Sequence, residues 1–139
     1  MYVYASMVAD LIHFGHVAFL ERVYQIGLDK GLKVLVGLHN DADVASYKRE
    51  PILKIEERKR VVEAIRYVDK VIVNAPLVLT DQFMKENRIS LVVHAHDPND
   101  DSNNREYAVA ISANKFQRLE YTKGISTTEI IARCAGVDK

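Results

Sequence analysis

The sequence predicts an α/β protein, a five-stranded and mainly parallel sheet flanked by helices. Three observations carry that prediction. Short β-rich runs alternate with longer runs whose apolar residues recur at helical spacing. Two of the short runs, KVLVGL at Lys33–Leu38 and ISLVVH at 89–94, are almost continuously apolar, as strands covered on both faces are. Polar residues with chemical reach follow the strands: His13 and His16 after the first, Asn40 and Asp41 after the second, Asn74 after the third, and His94, His96 and Asp97 at the fourth. Open parallel sheets bind ligands at the carboxyl ends of their strands.

Taken in order, Tyr2–Met7 reads as the first strand. Residues 14–28 place Val17, Phe19, Leu20, Val23, Tyr24 and Leu28 on one helical stripe, and Gly31 supplies a stop. Lys33–Leu38 is the second strand, followed by a mobile loop carrying Lys48 and Arg49. Residues 55–67 form a helix with Val61, Val62 and Ile65 inward and a dense charged face outward. Lys70–Val73 is strand three, and 80–86 a short helix capped by Thr80. Strand four spans 89–94, and DPNDDSNN at 97–104 is a polar loop. Residues 105–114 are helical, Phe116–Glu120 is the fifth strand, and Thr127–Cys134 is a last helix capped by Ser126.

Composition bounds the function. A chain of 139 residues fits one domain, and 48% hydrophobic with 27% charged residues is a globular mix. Lys plus Arg and Asp plus Glu both total 19, for zero net charge. That balance argues against a protein that coats nucleic acid or an anionic membrane, yet allows a local basic pocket. Cys134 is the single cysteine, so no internal disulfide framework exists, which fits a cytoplasmic location. No apolar run approaches the ~20 residues of a membrane span, and no secretory leader is visible. The chain enters its first strand at Tyr2, a start that suits a domain within a longer polypeptide.

Three constellations carry chemistry. In Asp10-Leu11-Ile12-His13-Phe14-Gly15-His16, two imidazoles three residues apart share one side of a helix start. Gly15 lets a ligand approach the backbone, and the helix N-terminus offers amides and positive potential to a phosphate chain. A lone string of this kind also arises as two surface or metal-binding histidines. In the second constellation, Lys48 and Arg49 follow Tyr47 and precede Pro51 and the pair Glu57-Arg58, placing cations where phosphates could meet them. The third, Lys123-Gly124-Ile125-Ser126-Thr127-Thr128, puts hydroxyls and amides at another helix start.

Their joint order resembles the HxGH nucleotidyltransferase superfamily and, within it, the cytidylyltransferases. The matching residues are Asp10, His13, Gly15 and His16; Tyr47 and Lys48; Glu57 and Arg58; Arg66-Tyr67-Val68-Asp69; and Thr122 with Gly124-Ile125-Ser126-Thr127-Thr128. The closing GISTT is typical of cytidylyl rather than adenylyl transfer. FLERV, VGLHND, SYK and Asn74-Ala75-Pro76 look like ethanolamine-phosphate cytidylyltransferase. The opening Ser6-Met7-Val8-Ala9-Asp10, with Ala45 to Arg49 and Tyr121 to Ser126, looks like the cytidylyltransferase domains that accompany phosphoenolpyruvate mutase. Those act on small phosphonates such as 2-aminoethylphosphonate or 2-hydroxyethylphosphonate. Departures are visible too. Ser6-Met7-Val8-Ala9 stands where the family has its glycine and phenylalanine, and Tyr121 replaces the arginine of R-T-x-G. Lys123 or Arg118 is placed to restore that charge.

The resemblance implies a single Rossmann-like domain over residues 1–139 that joins CTP to a small phosphate- or phosphonate-bearing alcohol or amine. It gives His13 and His16 to the triphosphate and Lys48 to a bridge between donor and acceptor phosphates. It gives Ser126 and Thr127, with neighbouring amides, to the β- and γ-phosphates. Arg66 and Asp69 would support the nucleotide site and Asp97 contact the nucleotide. Ser6, Met7, Asp10, Gly15, His94, Tyr121, Thr122, Gly124 and Ile125 complete the expected nucleotide-binding set. Mg²⁺ would accompany CTP with few protein ligands, and a homodimer is implied. The alternatives are an ATP-using adenylyltransferase, a catalytically weakened nucleotide-binding module, and a metal-binding protein on His13, His16, His94 and His96. For the last, no Cys or Glu completes a usual ligand spacing.

Overall fold

The computed structural model describes residues 1–96, 105–122 and 124–136. Asp97, the expected nucleotide contact, and Lys123 therefore lie outside the described residues. Among the described residues there are eleven elements, and strand and helix alternate as predicted except for one added helix. They are β1 (Tyr2–Met7), α1 (Phe14–Lys30), β2 (Lys33–Leu38), α2 (Asp41–Tyr47), α3 (Ile55–Glu63), β3 (Lys70–Val73), α4 (Asp81–Glu86), β4 (Ile89–His96), α5 (Ala108–Ser112), β5 (Phe116–Glu120) and α6 (Thr127–Cys134).

The five strands form one sheet in the order β3-β2-β1-β4-β5, and every neighbouring pair is parallel. β1 is central, pairing Tyr4 with Leu35 of β2 and with Val92 of β4. The first crossovers run outward to β2 and β3, and the later ones return past β1 to β4 and β5. This Rossmann-like reversal beside β1 opens a crevice at the carboxyl ends of the strands.

The nearly continuous apolar runs are explained by two cores. Val3, Ala5, Val34, Val36 and Val93 face one side with Phe19, Leu20 and Val23 of α1 and Val62 of α3. Tyr4, Leu35 and Val92 face the other side with Leu79, Met84 of α4, and Tyr107 and Ala110 at α5. Successive strand residues thus fill opposite layers. Gly37 is required by this packing, because a Cβ there would overlap the Tyr4 hydroxyl.

Several boundaries differ from expectation. α2 is a helix where a mobile loop is predicted; Asn40 caps it by accepting from Asp43 N at 2.8 Å, and Lys48 closes it. α3 stops at Glu63 rather than 67, since Ala64 N and Ile65 N turn to Val61 O and Val62 O in a tight last turn. β4 continues to His96, and α5 begins at Ala108. The stop at Gly31 holds, with φ +68, as do the Thr80 and Ser126 caps. No helix among the described residues is long and apolar enough to cross a membrane.

Candidate active site

A cleft of about 1130 Å³ opens at the carboxyl edge of the sheet. Its floor is Ser6 and Met7 at the end of β1, with His39 and His94 from the ends of β2 and β4. One wall is the start of α1, bearing His13, Gly15 and His16. A second is the end of α2, bearing Tyr47, Lys48 and Arg49. The third runs from Tyr121 and Thr122 through Gly124, Ile125, Ser126 and Thr127. The sequence's three constellations therefore converge on one space.

The histidine pair is built from the helix start itself. His13 is the N-cap of α1, and its Nδ1 accepts from Gly15 N at 3.1 Å. His16 reaches back so that its Nδ1 accepts from His13 N, also at 3.1 Å. Each ring thus spends Nδ1 as an acceptor, so the neutral imidazole carries its proton on Nε2, the end turned from the helix backbone. The rings lie 4.0 Å apart, centroid to centroid. Burial, then His13 and Lys48, push the His16 imidazole down to about 4; burial also lowers His13. A proton on Nδ1 would break the cap, so geometry and charge agree on neutral rings. Two amides of the helix start, His13 N and Gly15 N, are taken by these imidazoles.

Gly15 also serves a different need from the expected ligand approach. A Cβ there would lie 2.8 Å from His13 Cε1 and 3.3 Å from Ile125 Cγ2. The missing side chain seats the His13 ring and the loop before α6.

The turn between β1 and α1 is tense. Ala9 and Leu11 hold φ +59 and +49, values that cost a side-chain-bearing residue about 1–2 kcal/mol each. Asp10 between them holds the turn. Its buried carboxylate accepts from Ile52 N at 2.8 Å and Leu53 N at 2.9 Å, and its carbonyl accepts from the Thr127 hydroxyl at 2.9 Å. Asp10 thereby ties together the loops on two sides of the cleft. Beneath it, Arg58 is fully buried. Its guanidinium donates to Val8 O (2.8 Å), His39 O (2.9 Å), Leu53 O (3.1 Å) and the Asp41 carboxylate (2.6 Å). The adjoining Glu57 accepts from Lys54 N at 3.0 Å and starts α3. The E-R pair of the second constellation is thus a pillar under the site.

On the far side, Ser6 Oγ lies 2.8 Å from the Tyr107 hydroxyl, which lies 3.0 Å from His94 Nδ1. Burial pushes the Tyr107 phenol up to about 12, Glu106 adding to it against the Ser6 hydrogen bond. His39 Nδ1 lies 3.2 Å from Ala75 O, and burial lowers that imidazole as well. Lys48 is lowered by burial and by Arg49, with Asp10 opposing. At α6, Ser126 accepts from Glu129 N at 3.1 Å and keeps its O–H to give. Gly124 holds φ +99, a conformation that favours glycine.

Arg66 and Asp69 do not join this cleft. Arg66 is exposed over the Tyr67 ring, 5.3 Å away. Asp69 accepts from Val34 N at 2.7 Å and gives its own amide to Val34 O, pinning the amino ends of β2 and β3. Both stand at the opposite end of the sheet from the histidines. Arg118 lies over Phe116 and lines a separate hollow against α5. The sequence reading passed over His39, Glu106 and Tyr107 as site residues. The rule that ligands gather after strands could have found all three, since each follows β2 or β4.

Comparison with known proteins agrees with this geometry. Residues 8–133 match the family described as cytidylyltransferase-like. The probable ethanolamine-phosphate cytidylyltransferase of Encephalitozoon cuniculi is 35% identical over 132 residues, which cover 94% of this chain and 40% of that protein. The ethanolamine-phosphate cytidylyltransferase of Arabidopsis thaliana is 31% identical, covering 94% and 31%. Choline-phosphate cytidylyltransferase 2 of the same plant is 35% identical, covering 94% and 43%. The chain thus spans well under half the length of these curated relatives. Among solved structures, the lipopolysaccharide core biosynthesis protein from Thermoplasma volcanium shares the fold, with TM-score 0.68 and 16% identity over 90% of this chain and 98% of that one. With the match running through the histidine pair, the Lys48 wall and α6, this chain belongs to the cytidylyltransferase-like family.

Proposed function

We propose that this chain transfers a cytidylyl group from CTP to a small phosphate- or phosphonate-bearing alcohol or amine, with release of pyrophosphate. The observation that carries the reading is the capped histidine pair. Two rings fixed through Nδ1, which leaves Nε2 to carry the proton of the neutral form, line a cleft that also holds Lys48. An acceptor oxygen attacks the α-phosphorus, the bond to the bridging oxygen of the β-phosphate breaks, and pyrophosphate leaves with that electron pair. The acceptor oxygen is already anionic, so no base must act first. Positioning and neutralisation of charge supply the catalysis. His13 and His16 donate to the triphosphate oxygens as charge shifts, and Lys48 lies between the two anions. Ser126 and the start of α6 receive the distal phosphates.

Mg²⁺ belongs to this reading as a companion of CTP. Among the described residues, no three His, Cys, Asp or Glu side chains converge on one point. The ion would take its ligands from phosphate oxygens and water, the usual habit of Mg²⁺. A homodimer, a cytoplasmic location and a place in phospholipid or phosphonate synthesis complete the proposal; the ethanolamine-phosphate and choline-phosphate relatives support the phospholipid part of it. The whole protein's acceptor is likewise proposed from that likeness.

The test is pyrophosphate release with CTP and with ATP, against phosphoethanolamine, phosphocholine, glycerol 3-phosphate and the two ethylphosphonates. CTP should support turnover and ATP should not. Preference for ATP would make the chain an adenylyltransferase. Tight CTP binding with no turnover on any acceptor would make it a nucleotide-binding module.

A further inference from the structure

We infer that the Glu106 carboxylate selects the acceptor by receiving a primary ammonium at the end of a short aminoalkyl phosphate or phosphonate. The inference rests on the transfer reading above and deepens it. Its starting point is an unpaired atom: among the described residues, Glu106 Oε2 is shut off from solvent and has no hydrogen-bond partner, yet the residue lines the cleft. A buried carboxylate oxygen without a donor is costly, and folded proteins hold few of them.

The position is built rather than accidental. Leu79 N donates to Glu106 O at 2.9 Å, tying it to the segment after β3. The next residue, Tyr107, is held by Ser6 and stacked on Phe116 with ring centroids 5.0 Å apart. Glu106 also sits close enough to influence the Tyr47 and Tyr107 phenols, both of which burial raises first and its charge raises further. The site is thus one carboxylate in the same cleft as the Tyr47 and Tyr107 rings, Lys48 and His16. Lys48 and His16 suit the anionic end of an acceptor; Glu106 suits a cationic end.

The chemistry discriminates among acceptors. An ammonium brings three N–H donors and a full charge to Oε2. A hydroxyl brings one donor and no charge. A trimethylammonium brings charge but no donor, leaving Oε2 unpaired. A site with a buried polar group rejects the analogue that cannot satisfy it more strongly than a site that merely fits a shape.

The experiment measures KM and kcat at saturating CTP for matched acceptors: phosphoethanolamine, phosphocholine, ethylene glycol phosphate, and 2-aminoethyl- and 2-hydroxyethylphosphonate. The native chain should favour the two amines. Glu106→Gln should raise KM for them by about 10- to 100-fold, leaving KM for CTP and for the hydroxyl acceptors in place. Phosphate and phosphonate arms show which anion accompanies the amine. Equal use of hydroxyl or trimethylammonium acceptors by the native chain, or an equal loss on every acceptor in the variant, overturns the inference. If Glu106→Gln does not fold, Glu106→Asp keeps the charge one methylene short and should raise the amine KM alone. If no acceptor turns over, thermal shift separates the two ideas. Stabilisation by phosphoethanolamine but not by ethyl phosphate, lost in the variant, keeps the inference while the transfer reading fails. Absence of that difference ends the inference.

Discussion

At the carboxyl edge of the sheet, His13 and His16 turn their Nδ1 atoms to backbone amides and leave their other faces to a cleft. At the amino edge, Asp69 turns its carboxylate to Val34 N, and Arg66 lies exposed over Tyr67, away from that cleft. In the sequence, H-x-G-H and R-Y-V-D are equally prominent strings. In the fold, one presents groups to a ligand and the other aligns two strands. The difference lies in which end of a parallel strand each string occupies. Connections leaving the carboxyl ends border the crevice, whereas residues entering a strand at its amino end face away from it.

The sharpest way to break this comparison is to remove one group from each edge. His16→Ala deletes a donor that strengthens only as charge builds in the transition state. Turnover should fall by about 10²- to 10³-fold, with KM for CTP changed far less. Its fold cost is confined to the His13 amide it caps, about 0.5–2 kcal/mol by thermal melting. Unimpaired pyrophosphate release would remove the histidine from the chemistry.

Asp69→Ala should invert that pattern. It strips the Val34 amide of its acceptor, so stability should drop by about 1–3 kcal/mol in a denaturant titration. Turnover measured well below the melting temperature should stay at the native value. A specific rise in KM for CTP, with stability intact, would return Asp69 to the nucleotide site and erase the contrast between the edges.

How much of this was legible depends on whether local pattern or tertiary contact sets each feature. The strands were readable because a strand buried on both faces must be apolar at nearly every position, as Lys33–Leu38 is. The caps at Thr80 and Ser126 were readable because a hydroxyl accepting an amide three residues on is a local event. α2 was not, since DADVASY buries only Val44 and so lacks an apolar stripe; the Asn40 cap and packing sustain it. Arg58 was singled out in the sequence within a constellation of cations for phosphates, but its burial was not readable, since nothing local in the charged run of α3 separates it from exposed Arg60. Its burial follows from carbonyls contributed by Val8 and His39, distant in sequence. Glu106 was invisible for the same reason: its unpaired oxygen is defined by what surrounds it in space.

The smallest expected effect concerns protonation, and it sharpens the account of the carboxyl edge. His16 is held down to about 4 from the ordinary 6.5, burial first and then His13 and Lys48. A ring whose folded value lies below its unfolded one binds its proton more readily when the chain unfolds. Its contribution to stability is therefore complete above pH 6.5, drains as pH falls through the interval toward 4, and is gone below it. Partial exposure screens the effect and keeps it modest. Ring resonances followed by NMR should show His16 neutral at pH 6, its proton on Nε2, with titration beginning only near pH 5. An imidazole half protonated at pH 6.5 would mean that Nδ1 is free to take a proton. The His13 amide would then not be capped, and the helix start would again be offering its own N–H to the ligand in place of the rings.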